Sequence, residues 1–383
     1  MTPSADEPSI AGPSADGPSA DGDFRRKLRV AAGEFAQLRR SFKRRLGVLA
    51  PLYITLYGGY GSNTSVVLRG RVLEARAPTA PKLGDRRYSN FKRAFALIES
   101  DEVPGVKLEV SAEGAAQTVT SDEDGYFHVR LSFPSPVPHG WLHVAARVTD
   151  TPYPVSQMPK AEVSVLVPPA TARFGVISDI DDTILRTYVR NRAKMVYLTL
   201  LKNPLTRRPF EGTTELYQGL LAGGQDAPFF YVSQSMWNIF PLLESFIDHQ
   251  KLPRGPLLLR QVGLLAPRRK PPHKASAIAE LLNTYPELPF VLIGDSGQRD
   301  LEIYLAAARQ HPGRVLSILI RNVSPIKRRQ ALQAMAQKDA PPGCPVLVFD
   351  DSKQAAEHCR ELGLWSPPAM VAAPVAPAQM SQP

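Results

Sequence analysis

The stretch FGVISDIDDTILRT, residues 174–187, decides the fold. FGVIS is apolar on both sides of the chain, the pattern of a strand buried on both faces of a parallel sheet. Asp179, Asp181 and Asp182 follow it directly. Carboxylates packed this closely repel, and burying them is costly unless something neutralises them. The D-x-D-x-T series formed by Asp179, Asp181 and Thr183 therefore calls for a divalent cation, and Mg²⁺ takes oxygen ligands of this kind.

The same pattern repeats downstream. PFFYVS, PLLLR, PFVLIGD, VLSILI and PVLVFDD are short apolar runs ending in polar residues, and they alternate with helical stretches. This predicts an α/β domain over 172–366, a parallel sheet covered on both faces, with ligands at the carboxyl ends of its strands. Ser233 ends FFYVS, where a hydroxyl can hold a phosphate oxygen. Lys274 opens a helix in PPHKASAIAELL and can neutralise phosphate as a point charge. GDSGQRD places Asp295 at a strand end and Asp300 five residues on. Asp295 can complete the metal site; Asp300 can hold Lys274 or a metal-bound water.

These four pieces, in this order, resemble the haloacid dehalogenase-type phosphohydrolases. YVSQSMWNIF, the run from PPHKASAIAELL to GDSGQRDLEIY, LYGGYGS with LRGRVL, and SDEDGYFHV more closely resemble the actin-patch-type phosphatidate phosphatase domain family in its bacterial form, distantly lipin-like. The resemblance runs from about Leu52 to Leu364 and is strongest from Gly175 to Tyr304. Met236 and Leu301 stand where that family usually has Pro.

The resemblance implies a Rossmann-like, haloacid dehalogenase-type sheet with a small cap insert. It implies a Mg²⁺-dependent phosphatase acting on phosphatidate. Asp179 would be the nucleophile that forms an aspartyl-phosphate, and Asp181 the general acid and then base. Asp179, the backbone carbonyl of Asp181 and Asp295 would hold Mg²⁺, and Ser233 and Lys274 the phosphoryl oxygens. Thr183 and Asp300 would support them. The same chemistry on a soluble phosphoester or phosphoprotein, and a non-catalytic scaffold, remain as competing readings.

Neighbouring residues have plainer readings. Asp182 reads as a loop hydrogen-bonder and His273 as a structural residue at a helix start. Trp237 and Asn238 read as packing and capping the next helix. Residues 186–210 are too short for a large cap domain, which leaves the site open to a bulky substrate. Arg186, Arg190, Arg192 and Lys194 beside the apolar Met195–Leu201 stretch suit an anionic lipid, or form an ordinary helix with a solvated basic face.

Upstream, residues 52–168 hold short alternating runs such as SVVLRGRVL, YFHVRLSF and WLHVAARV, separated by turn signals such as SDEDG. They predict a β-sandwich-like domain, interrupted by one helical segment at Asn90–Ser100. Asp122, Glu123 and Asp124 lack calcium-loop spacing and read as an ordinary turn. Residues 1–23 and 367–383, rich in Pro, Ala and other small residues, are expected to be disordered tails.

The charge is local. Residues 24–49 carry +8 of the net +10, with an apolar stripe of Phe24, Leu28, Ala31, Phe35, Leu38, Phe42 and Leu49 at helical spacing. Such a helix packs on its own protein or lies on an anionic membrane; no nucleic-acid partner is expected. No apolar run approaches the roughly 18 residues of a membrane span, and no secretory signal is visible at the N-terminus. Cys344 and Cys359 read as reduced packing residues. These features predict a cytoplasmic protein, with contact at a membrane surface left open, and say nothing of a protein partner for the β-domain.

Overall fold

Alternation of apolar and polar residues builds the first half of the fold. The computed structural model describes residues 51–74, 101–155, 157–181, 183–184, 209–260 and 273–368. Among these, eight strands precede residue 168: β1 (Leu52–Gly61), β2 (Ser65–Glu74), β3 (Asp101–Glu102), β4 (Lys107–Ala112), β5 (Ala115–Thr120), β6 (Tyr126–Ser132), β7 (Gly140–Asp150) and β8 (Lys160–Val167). In β6, Phe127, Val129 and Leu131 are buried while His128, Arg130 and Ser132 are exposed, the period-two signature of a half-buried strand.

The hydrogen bonds do not part the strands of the expected sandwich-like domain into two separate sheets. They join all eight strands in one sheet, ordered β3-β2-β1-β8-β7-β4-β5, with β6 also on β2. β1 makes the join: it runs antiparallel to β2 and, through Gly59–Val165 and Tyr60–Leu166, parallel to β8. Its core contains Val66, Leu68, Leu108, Val110, Val129, Val144 and Val165. At the SDEDG turn, Asp122 accepts hydrogen bonds from the N–H groups of Asp124 and Tyr126, so its carboxylate closes the turn itself.

The second half is parallel throughout. β9 (Gly175–Asp179), β10 (Phe229–Met236), β11 (Leu257–Arg260), β12 (Phe290–Asp295), β13 (Val315–Arg321) and β14 (Val346–Phe349) lie in the order β11-β10-β9-β12-β13-β14. Counted from the first strand this is 3-2-1-4-5-6, a doubly wound order that reverses between β9 and β12. Every residue of β9 and β12 is buried. The helices α1 (Thr213–Gly223), α2 (Phe240–His249), α3 (His273–Thr284), α4 (Asp300–Gln310), α5 (Ile326–Asp339) and α6 (Ser352–Glu361) cover both faces. Leu216, Phe246 and Cys359 pack with Val176, Tyr231 and Ile293 on one side. Ile278, Leu301 and Leu332 pack with Ile177, Phe230 and Leu292 on the other.

The two halves share their cores. Tyr57 and Tyr126 of the β-domain belong to the first cluster, and Tyr60, Val67 and Leu166 to the second. The described residues thus all belong to one compact unit. Both cysteines are free and buried; burial pushes the Cys344 thiol up to about 11 and the Cys359 thiol up to about 12. No helix among the described residues is long and apolar enough to cross a membrane. The expectations for residues 1–23, 24–49, 90–100, Asp182, 186–208 and 369–383 lie outside the described residues.

Candidate active site

Three adjacent strands deliver the polar groups to one place. Asp179 ends β9 and Asp295 ends β12, while β10 pairs Val232 with Asp179, so Ser233 stands one residue beyond that register. This is the carboxyl edge of the sheet at the point where the strand order reverses, where such sheets bind ligands. Asp179, Ser233, Lys274 and Asp295 have no exposed surface, and Asp181, Thr183 and Asp300 have almost none.

Lys274, in the first turn of α3, organises the carboxylates. Its Nζ lies 3.0 Å from Oδ1 of Asp179 and 2.6 Å from Oδ1 of Asp300. It also donates to Gln298 Oε1 at 3.4 Å. The second oxygen of Asp300 accepts the Asp295 N–H at 3.1 Å. This approach requires glycine at 294, where a Cβ would stand 2.5 Å from Asp300 Oδ2. Asp295 Oδ1 in turn accepts the N–H groups of Gly297 and Gln298 at 2.5 and 3.1 Å. Ser233 Oγ donates to Asp181 Oδ2 at 3.0 Å, and Thr183 Oγ1 to Asp179 Oδ2 at 3.4 Å. All seven residues singled out in the sequence are thereby gathered.

Charge is out of balance here. Burial pushes Asp179 well above the usual carboxylate range; Lys274 opposes this, while Asp300, Asp181 and Asp295 reinforce it. Burial alone would lower Lys274, but Asp179, Asp300 and Asp295 outweigh it and hold the ammonium protonated. The neighbouring carboxylates push both groups upward, adding to burial at Asp179 and opposing it at Lys274. Ligand oxygens of Asp179, Asp295 and Asp300 lie within 4.8 Å of one another, close enough to share a cation. Asp300 meets Lys274 and the Asp295 N–H; Asp179 and Asp295, each ending a strand of the sheet, supply carboxylate oxygens of the kind a hard divalent ion takes.

Two residues escaped the sequence reading. Gln298 is the third partner of Lys274. Arg321, ending β13, is buried and donates to Thr183 O at 3.0 Å, Thr213 Oγ1 at 3.1 Å and Ser352 Oγ at 2.9 Å. Its guanidinium lies over the rings of Phe210 and Phe349. The signal was present, since Arg321 follows the apolar run VLSILI as Asp179 follows FGVIS.

The plainer readings fare as follows. His273 bonds Leu258 O at 3.0 Å, a structural contact. Trp237 is buried and stacks on Tyr57. Asn238 lies in the single turn Trp237–Ile239 that leads into helix α2. Leu301, in a position where proline was expected, is buried in the second core.

Residues 174–322 match the family described as "Phosphatidate phosphatase APP1, catalytic domain". Two curated proteins are similar over the same region. The phosphatidate phosphatase APP1 of Saccharomyces cerevisiae is 34% identical over 152 residues, 39% of this chain and 26% of that protein. An uncharacterised protein of Schizosaccharomyces pombe is 33% identical over 154 residues, 39% of this chain and 25% of that protein. The match spans about a quarter of either relative. Among solved structures, a carbohydrate acetylesterase from Xanthomonas citri aligns with a TM-score of 0.31 at 11% identity, covering 75% of this chain and 65% of that one; so loose a superposition carries no weight here.

Proposed function

We propose that this chain is a Mg²⁺-dependent phosphatase of the haloacid dehalogenase type, acting on phosphatidate and releasing diacylglycerol and inorganic phosphate. The observation that carries this reading is the buried pairing of Asp179 with Lys274, at 3.0 Å, in the strand-end cluster that also holds Asp181, Ser233 and Asp295. The similarity of residues 174–322 to the phosphatidate phosphatase family supports it.

A carboxylate of Asp179 attacks phosphorus and forms the aspartyl-phosphate as the bond to the lipid oxygen breaks. Asp181 gives its proton to that leaving oxygen. It then takes a proton from the water that cleaves the Asp179–phosphorus bond, which frees inorganic phosphate. The hydrogen bond from Ser233 holds the Asp181 carboxyl beside the site. Ser233 and Lys274 bind the phosphoryl oxygens, and the ammonium offsets their charge in a loose transition state. Asp179, Asp295 and the backbone carbonyl of Asp181 are the groups that would hold Mg²⁺, which supplies positive charge to the phosphoryl group. Asp300 keeps Lys274 charged and aimed.

The partner expected is an anionic phospholipid surface, met from the cytoplasm by a peripheral enzyme. The deciding experiment is a panel of phosphatidate, lysophosphatidate, an aryl phosphate and a phosphopeptide, each with and without Mg²⁺. Metal-dependent release of phosphate, fastest from phosphatidate, is the expected result. Release from the phosphopeptide alone would replace the lipid reading, and no release from any substrate would overturn the enzyme.

A further inference from the structure

The glycine-rich stretch LYGGYGS has no part in the chemistry above, yet it touches both phosphate-holding elements. β1 is irregular between Leu56 and Gly59. A side chain at Gly59 would meet the Val67 carbonyl oxygen at 2.1 Å, so only glycine fits there. The irregularity re-aims the strand and sends Tyr57 and Tyr60 to opposite faces of the parallel sheet. Tyr57 enters one core and Tyr60 the other.

On the first face Tyr57 stacks on Trp237 with ring centroids 4.4 Å apart and meets Phe240 at 5.3 Å. Trp237 directly follows Met236, the last residue of the strand that carries Ser233. Tyr57 is backed by Tyr126 at 6.5 Å. Arg71 lies 4.3 Å over Tyr126 and is itself anchored to Asp124 O and Glu102. On the second face Tyr60 packs edge-on against Phe230 at 5.8 Å, in the same strand as Ser233. Its hydroxyl donates to Glu280 Oε1 at 2.7 Å, and Arg69 lies 3.4 Å from the other oxygen of Glu280. Glu280 stands on α3, the helix that opens with Lys274.

We infer that Tyr57 and Tyr60 are positioning residues for the phosphate site. Through them the β-domain grips β10 from both faces and α3 at its middle, and holds Ser233 and Lys274 at the spacing a phosphoryl group requires. The β-domain is then a working part of the catalytic centre rather than a separate recognition module. This rests on the phosphatase reading above.

The test uses the full chain and Tyr57→Leu, Tyr57→Phe, Trp237→Leu, Tyr60→Phe and Glu280→Gln. It measures kcat and KM on an aryl phosphate, inhibition by inorganic phosphate, and thermal melting. Displacement of catalytic groups by about an ångström costs up to about 100-fold in rate, so Tyr57→Leu and Trp237→Leu should lower kcat/KM by roughly 10- to 100-fold. The inhibition constant for inorganic phosphate should rise in parallel while melting stays cooperative. Tyr57→Phe, which keeps the stacked ring, should retain activity, and Tyr60→Phe and Glu280→Gln should show smaller losses in the same direction. Wild-type kcat/KM and phosphate inhibition in a cooperatively folded Tyr57→Leu would overturn the inference. If that variant and Trp237→Leu do not fold, Tyr60→Phe and Glu280→Gln decide by the same criterion. A wild-type protein inactive on every phosphomonoester would instead overturn the phosphatase reading.

Discussion

Lys274 places its ammonium 3.0 Å from Oδ1 of Asp179, and neither side chain reaches solvent. An ion pair buried this deeply contributes little net stability, because desolvating two charges offsets most of their attraction. Its use lies elsewhere. Three more carboxylates surround the pair, so the cluster holds more negative charge than Lys274 can balance.

The first prediction follows from Asp179 itself. Asp179→Asn should lower turnover by roughly 10³-fold or more, since an amide is a poor nucleophile and a weak ligand for a hard cation. Asp181→Asn should lose steady-state turnover yet still form phospho-enzyme from an aryl phosphate with an activated leaving group. Rapid-quench trapping of the phospho-enzyme separates the two, and near-normal rates in Asp179→Asn would remove it from its role.

Chelation should stop activity and Mg²⁺ should restore it. Binding should also raise the melting temperature, by an amount equivalent to about 2.7 kcal/mol at a metal concentration 100 times Kd. The pH dependence has a definite sign. The Asp179 carboxyl is held above its unfolded range. The metal-free fold therefore loses stability as pH rises from the unfolded value toward the folded one. Metal binding displaces that proton, so the Mg²⁺-induced melting shift should grow with rising pH and shrink with falling pH. Calorimetric melts at several pH values check it, and a shift independent of pH would contradict the assignment of Asp179 as a ligand.

Arg321 holds the carbonyl of Thr183, two residues after the proposed acid, and reaches two further hydroxyls. Arg321→Met should strand those buried acceptors and destabilise the fold by about 3 kcal/mol in urea unfolding. Arg321→Lys should recover part of the stability but less of the activity, because a single ammonium cannot hold the same set of acceptors in one plane. Equal recovery of both would limit Arg321 to a structural role.

The basic stretch 24–49 supplies the last prediction. Each Lys or Arg near an anionic bilayer contributes about 1 kcal/mol, fading with salt. Replacing Arg39, Arg40, Lys43, Arg44 and Arg45 by Gln in the full chain should weaken co-sedimentation with anionic vesicles. Turnover of vesicle phosphatidate should fall with it, while hydrolysis of a soluble aryl phosphate stays unchanged. Unchanged sedimentation at low salt would assign the stripe to packing within the protein.

By itself the sequence determined the parallel sheet and the seven polar residues gathered at its edge. Burial on both faces forces FGVI and FVLI to be apolar throughout, and a charge placed just after such a run can only stand at the strand's end. Asp179 and Asp295 were legible for that reason. Strand partnership was not legible. Alternation in β1 states which residues face inward but not that β1 bridges β2 and β8 and so links all eight strands into one hydrogen-bonded sheet. Nor does any local pattern tell that Tyr57 meets Trp237 or that Tyr60 meets Glu280, 220 residues away. Such contacts come from the packing of distant segments. Only the tertiary structure, which merges the two cores, decided that the β-domain borders the strand and the helix that carry Ser233 and Lys274.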